Sequence, residues 1–186
     1  MSYIIVGQQR RNSIKVPEFF WADDRDWQEA QDTLAYLFIK HGSAMERVRQ
    51  LARQARDNLQ PLFALFDEFT GQVCPDCRAV CCREARVAYD FKDLLFIHAL
   101  NLTPPPHQLR RHDREHCRYL GPQGCRLPRI LRPFICTWFY CAPILELFRL
   151  QPAKVQRDLS YRMSLVQRNR VLMEEEFIWV VTAGPA

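Results

Sequence analysis

The chemistry available to this chain lies in eight cysteines: Cys74, Cys77, Cys81, Cys82, Cys117, Cys125, Cys136 and Cys141. Their spacing is C-x2-C-x3-C-C and, after a gap, C-x7-C-x10-C-x4-C; none falls in the first 73 or the last 45 residues. Such confinement argues for one purpose rather than eight unrelated buried thiols. Two intervening residues let Cys74 and Cys77 turn both thiolates toward one ion or cluster while a short loop closes behind them. Thiolates suit zinc and iron–sulfur centres, whereas calcium and magnesium take oxygen. On an extended backbone Cys81 and Cys82 diverge, so one is expected to bind while its neighbour packs or serves a second centre. Eight thiols could supply two four-cysteine sites, though nothing in the spacing requires all eight to be ligands.

Other uses of thiols make their own demands. A redox CxxC pair starts a helix beside a strand, and no β-α-β pattern surrounds Cys74. A disulfide framework belongs to exported chains. Here the opening apolar run is only Ile4, Ile5 and Val6, and Arg10 and Arg11 follow it instead of preceding it. The most apolar later stretch, residues 134–148, is too short to cross a bilayer and contains Pro143. These features point to a soluble, cytoplasmic chain whose thiols stay reduced and open to metals. Structural zinc, whose binding free energy can order irregular loops, is the main competitor to iron–sulfur.

Non-cysteine candidates surround the second half of the set. His98, His107, His112 and His116 cluster in sequence, and His116, directly before Cys117, is the best non-cysteine ligand or neighbour of a ligand. Asp90, Asp93, Asp113 and Glu115 could orient ligands or act as a base, but helix capping and solvent exposure explain them adequately. Arg132 could donate fixed hydrogen bonds to a net-negative thiolate centre, with Pro133 stiffening the approach to Cys136. Trp138, Phe139 and Tyr140 are expected to shield the site or to form core. The net charge is +5, and 22 of the 26 basic residues are arginine. Runs such as Arg47, Arg49, Arg53 and Arg56, or Arg110, Arg111 and Arg114, could line a phosphate-binding face. Arginine is nevertheless interleaved with Asp and Glu from end to end, which suits a solvated surface. Nucleic acid and membrane are therefore not expected as partners, and an unidentified protein partner is left open.

The elements that must position these residues follow from the apolar pattern. At 186 residues, 48% hydrophobic, the chain suits a single domain, 1–186. Residues 1–22 read as an arm offering Tyr3, Ile5, Phe19, Phe20 and Trp21 for docking. Residues 23–70 read as helical. Asp23 or Asp24 caps a first helix through Trp27, Leu34 and Phe38, and His41-Gly42 ends it. Ser43 with Glu46 forms a capping box for a second, carrying Met45, Val48, Leu51, Ala52 and Ala55 at helical spacing. Pro61 kinks or restarts that helix, and Gly71 closes the region. The cysteine-rich region, 74–141, contains one clear helix at 90–100, stopped by Asn101 and the following prolines, and mainly turns at 115–133. The C-terminal region, 143–183, is helical through Arg168 and again from Phe177 to Val181. The expected fold class is mainly α, with helices enclosing an irregular cysteine-rich metal-binding centre.

Taken together, C74PDCRAVCC82, C117RYLGPQGC125 and R132PFIC136TWFYC141 resemble a bacterial family of cysteine-cluster domains described as zinc- or iron-chelating. Flagellin lysine N-methylases contain a related region. The resemblance covers residues 74–141. It rests on a cysteine group ending in an adjacent pair, on Cys117 before Tyr119-Leu120, on the Gly124-Cys125 step, and on Arg132-Pro133 leading to Cys136, with Cys141 closing the pattern. Three residues separate Cys77 from Cys81 where the family form has two, which leaves the choice between Cys81 and Cys82 open. The resemblance implies metal or iron–sulfur binding without an assigned reaction. Methyl transfer is not carried over, because the chain has no glycine-rich nucleotide fingerprint. The C-x3-C-x2-C loop of radical S-adenosylmethionine enzymes and the tandem ferredoxin run are also missing. The expected cofactor is an iron–sulfur cluster, 4Fe–4S by ligand count and possibly serving redox, with zinc in a non-catalytic interaction module as the alternative. No catalytic residue is assigned.

Overall fold

The structure, a computed structural model, describes residues 21, 23–78, 80–112, 114–122 and 124–183. Helix α1 (Asp24–Lys40) starts where the Asp23 side chain accepts from the Arg25 amide at 2.7 Å. Its buried face carries Trp27, Gln31, Leu34 and Phe38. The Trp27 indole donates to the Pro105 carbonyl at 2.9 Å, which ties the helix to the middle of the chain. His41 ends α1, and Gly42 follows at φ +44°, a backbone conformation that favours glycine.

A 3-10 turn, Gly42–Met45, then precedes α2 (Glu46–Leu59). The expected capping box on Ser43 is not made: the turn carries the chain past that register, Met45 precedes the helix, and no side chain caps it. Arg49 secures the corner instead, donating to the Gly42 carbonyl at 2.8 Å. The predicted stripe is buried along α2, from Val48 through Leu51, Ala52 and Ala55 to Leu59. It packs against α8 (Ala153–Thr182), whose facing stripe includes Leu159, Met163, Val166, Met173 and Phe177. Pro61 sits in the first turn of a short 3-10 segment, Gln60–Leu62, where its missing N–H costs no helical bond, and α3 (Phe63–Val73) restarts after it. Gly71 does not close the region. It is exposed within α3, which runs two residues further, because a helix tolerates one glycine at about 1 kcal/mol.

In the middle of the chain α4 (Cys81–Glu84) is a single turn, and α5 (Phe91–Ala99) is the expected short helix. Its capping box is complete: Asp90 accepts from the Asp93 amide at 2.8 Å, and Asp93 accepts from the Asp90 amide at 3.0 Å. Asn101, at φ +54°, ends this stretch. A two-residue hairpin follows, β1 (Leu120–Gly121) against β2 (Gly124–Cys125), antiparallel with Leu120 opposite Cys125. Helix α6 (Ile135–Trp138) is one turn, and α7 (Ala142–Arg149) two.

The C-terminal region differs from expectation. Helix α7 stops at Arg149, and α8 is then continuous for 30 residues, without the break expected between Arg168 and Phe177. Val166, Arg170 and Met173 keep the buried stripe in helical register across that interval, so its polar composition does not interrupt the helix. The fold is mainly α. The docking expected of Tyr3, Ile5, Phe19 and Phe20 lies outside the described residues, as does Asp113; Trp21 packs edge-on against Trp27 with ring centroids 6.4 Å apart. Among the described residues no helix is long and apolar enough to cross a membrane.

Candidate metal centre

The irregular segments that carry the cysteines are strapped together by hydrogen bonds to backbone. The Cys117 amide donates to the Cys82 carbonyl at 2.8 Å, which brings the second cysteine-bearing stretch onto the first. The Leu120 amide returns to the Cys117 carbonyl at 3.0 Å, and the Arg126 amide donates to Tyr119, so the hairpin folds Cys125 back beside Cys117. Gln108 is fully buried; it accepts from the Tyr89 amide at 2.8 Å and donates to the Tyr89 carbonyl at 3.2 Å. The Tyr119 hydroxyl does the same for His107, donating to its carbonyl at 2.7 Å. These side chains replace the ladder a sheet would supply.

Within this frame the thiols divide into two groups. Burial raises the Cys74 and Cys81 thiols above the ordinary range, and the like charge of Cys141 and Cys77 adds to both; Cys81 also feels Cys74. The Cys82 thiol is pushed up to about 11, first by burial and then by Cys117 and Cys125, with Cys81 and Cys74 contributing less. Burial followed by Cys82, Cys117 and Cys125 raises Cys136. Cys117 is raised by burial and by Cys125. By these neighbours Cys74, Cys77, Cys81 and Cys141 sort together, as do Cys82, Cys117, Cys125 and Cys136, with Cys82 also feeling Cys81 and Cys74 across the division. The neighbours Cys81 and Cys82 fall on opposite sides, as a helical turn allows and a flat strand does not. The first group gathers where the end of α3, capped by Cys74, meets the start of α7, preceded by Cys141; α3 and α7 pack together.

Access differs between the thiols. Cys117 is buried, Cys74 and Cys136 are exposed, and the other five are half-buried. Cys136 combines an open surface with a thiol strongly raised by burial. Cys136 thus sits in a recess, open to solvent with protein packed densely around it.

Cations stand beside both groups. Arg129 and Arg132 pull the Cys74 thiol down against its burial, and Arg110 does so for Cys117. The positive end of α7 begins immediately after Cys141. Arg132 thus lies near the first group as well as close in sequence to Cys136; its Nε donates to the Leu127 carbonyl at 3.0 Å. Arg110 is the residue that sequence reasoning missed. Beside Arg111 and Arg114 it reads as surface charge, yet it is 0% exposed. No local signal marks it, since its partners are backbone carbonyls, those of Cys81, Cys82 and Arg83 being distant in sequence.

The remaining candidates have other occupations. His116 is exposed and faces the Arg83 carbonyl at 3.4 Å. His98 is paired with Gln31 at 2.6 Å, His107 with Asp24 at 3.1 Å, and His112 is exposed. Asp93 is buried, accepts from the Phe134 amide at 2.9 Å, and pairs with Arg170 at 2.9 Å. It caps α5 and anchors the approach to α6. Asp90 shares Arg170 at 3.0 Å. Glu115 accepts from the Arg111 amide at 2.6 Å. Of the aromatic trio only Tyr140 packs, between Phe66 and Phe148, while Trp138 and Phe139 are 39% and 48% exposed. The basic run on α2 is partly paired, Arg53 with Glu46 and Arg56 with Asp57.

Among the described residues no three His, Cys, Asp or Glu side chains close on a common point at metal-binding distance. The thiols reach one another electrostatically without forming a closed cage. Their type fits zinc or an iron–sulfur cluster, and the cations fit the net negative charge of four thiolates on such a centre. No protein-family model, curated protein or solved structure matches the chain.

Proposed function

We propose that this protein is a cytoplasmic metal-binding protein with two four-thiolate centres. Cys74, Cys77, Cys81 and Cys141 would hold one, and Cys82, Cys117, Cys125 and Cys136 the other. The observation that carries this reading is the backbone closure of Cys117 on Cys82 beside the Cys125 hairpin, and of the Cys74 end of α3 on α7 after Cys141, with the electrostatic neighbours of the thiols following the same sorting. A disulfide framework would pair sulfurs, whereas all eight are free thiols here. The cysteine spacing and its resemblance to the zinc- or iron-chelating domains support the same reading.

We favour iron–sulfur over zinc: the ligand count suits a 4Fe–4S cluster at each group, and such a group would supply one-electron chemistry. This chain's own residues hold the thiols in place through the Cys82–Cys117 backbone bond, the hairpin and the α3–α7 contact. The test is metal and acid-labile sulfide analysis of the full chain purified anaerobically. Iron and sulfide in near-equal amounts, with broad visible absorption, are expected. Colourless protein carrying zinc and no sulfide, even with iron supplied, replaces iron–sulfur by structural zinc at the same thiols. Protein without any bound metal refutes the reading.

A further inference from the structure

Arg110 is buried as a charge with no carboxylate facing it among the described residues. Its fork is spent on carbonyls: Nη1 donates to Glu115 at 2.6 Å and to Arg83 at 3.3 Å, and Nη2 donates to Cys82 at 2.9 Å and to Cys81 at 3.4 Å. The Nε–H is buried and has no partner among the described residues. Carbonyl dipoles solvate a cation only in part, and burying a charge without a counter-charge is strongly unfavourable. A site that retains such a cation implies an anion beside it. The Glu115 carboxylate is turned to the Arg111 amide at 2.6 Å, which leaves the thiols of Cys82 and Cys117, joined through their backbones at 2.8 Å, to supply that anion. Nη2 grips the carbonyls of the two cysteines that divide between the groups, and one of these, that of Cys82, also accepts the Cys117 amide at 2.8 Å. The other buried arginines are served differently: Arg129 pairs with Asp67, and Arg170 with Asp90 and Asp93.

We propose that Arg110 is the buried counter-charge and positioning residue of the Cys82, Cys117, Cys125 and Cys136 centre, its guanidinium offsetting the thiolate charge while its fork fixes the turn that parts Cys81 from Cys82. This rests on the metal-binding reading above. It makes the loaded and metal-free forms differ in their need for the charge. Without metal the cation has only carbonyls for partners among the described residues; a bound metal centre would give it a counter-charge. A purely structural arginine would stabilise both forms alike.

The experiment uses the full chain in a Cys74→Ser/Cys77→Ser background, which leaves one complete group, with zinc as the probe under reducing, anaerobic conditions. Zinc retention against a competing chelator and thermal unfolding of loaded and metal-free protein are compared for Arg110, Arg110→Met and Arg110→Lys. Arg110→Met is expected to weaken zinc binding about tenfold or more, the scale of a lost charge-assisted interaction. Its metal-free form, which loses only the bonds to the carbonyls, is expected to drop less in unfolding temperature than its zinc-loaded form, and Arg110→Lys to lose less affinity than Arg110→Met. Equal zinc affinity in parent and Arg110→Met overturns the proposal and leaves the metal reading standing. So does an equal drop in unfolding temperature with and without zinc, or a loss in Arg110→Lys as large as in Arg110→Met. If Arg110→Met does not fold, Arg110→Lys decides: affinity within about threefold of the parent supports the charge role, and a tenfold loss overturns it. A parent that takes up no zinc overturns both readings together.

Discussion

The division of the thiols makes a combinatorial prediction that no single shared centre can imitate. Each Cys→Ser change removes one ligand from one group of four and leaves the other group whole. Each of the eight single variants is therefore expected to keep about half the metal of the parent, whether the metal is zinc or iron. Pairs of changes separate the arrangements. Cys74→Ser with Cys77→Ser removes two ligands from one group, so about half the metal should remain. Cys74→Ser with Cys117→Ser strikes both groups and should leave none. The decisive pair is Cys81→Ser with Cys82→Ser, adjacent in one turn but assigned to opposite groups by their thiol neighbours. It should empty both centres, although the change is more local than any other. The assay is metal per chain by elemental analysis of anaerobically prepared full-length protein, with helical circular dichroism checking that each variant folds. Half the metal surviving in the Cys81/Cys82 double variant, or all of it lost in any folded single variant, would refute the partition.

Other expected outcomes concern the frame. Asp93→Ala leaves the Phe134 amide without its acceptor and Arg170 with Asp90 alone, so a loss of about 3 kcal/mol and roughly 6–12 °C in Tm is expected; a loss below about 1 kcal/mol in urea unfolding would show that Asp90 suffices. The Tyr140 hydroxyl is buried without a partner among the described residues. Tyr140→Phe should then be neutral or stabilising by up to about 1 kcal/mol, and a clear loss in the same assay would reveal an acceptor. Burial holds the His98 imidazole below its ordinary value of 6.5. The unfolded chain binds that proton more readily, so stability is fully present above about pH 6.5 and falls as pH drops through the window beneath it. Unfolding measured from pH 7.5 to 5 should show this slope, and His98→Gln should flatten it; an unchanged slope would assign it to other groups.

The helical frame was legible where a buried stripe repeats. Met45, Val48, Leu51, Ala52 and Ala55 lie at the positions their periodicity dictates, and Asp90 caps α5 as a carboxylate before an apolar run should. Punctuation was less reliable, because Gly71 and the polar stretch after Arg168 are overruled by packing on either side. The eight thiols were legible as candidates but not as two groups. Their assignment depends on contacts between segments tens of positions apart, such as Cys82 with Cys117 and α3 with α7, and local spacing carries no record of these. Arg110 was illegible for a different reason. A guanidinium that binds carbonyls instead of carboxylates has no complementary charge to betray it, so beside Arg111 it reads as one more solvated cation.

The one-turn helix at Cys81–Glu84 has a consequence for how the chain's length can vary. Where cysteines are separated by a loop, as across the turn at Pro122, an added residue can bulge outward and leave each thiol beside its neighbours. Between Cys81 and Cys82 there is only a peptide bond, and about 100° of helical rotation directs the two thiols apart. A residue gained or lost there would rotate one thiol out of its place, with no slack in the turn to absorb it. The spacing from Cys77 to Cys81 can stretch; the junction between Cys81 and Cys82 cannot.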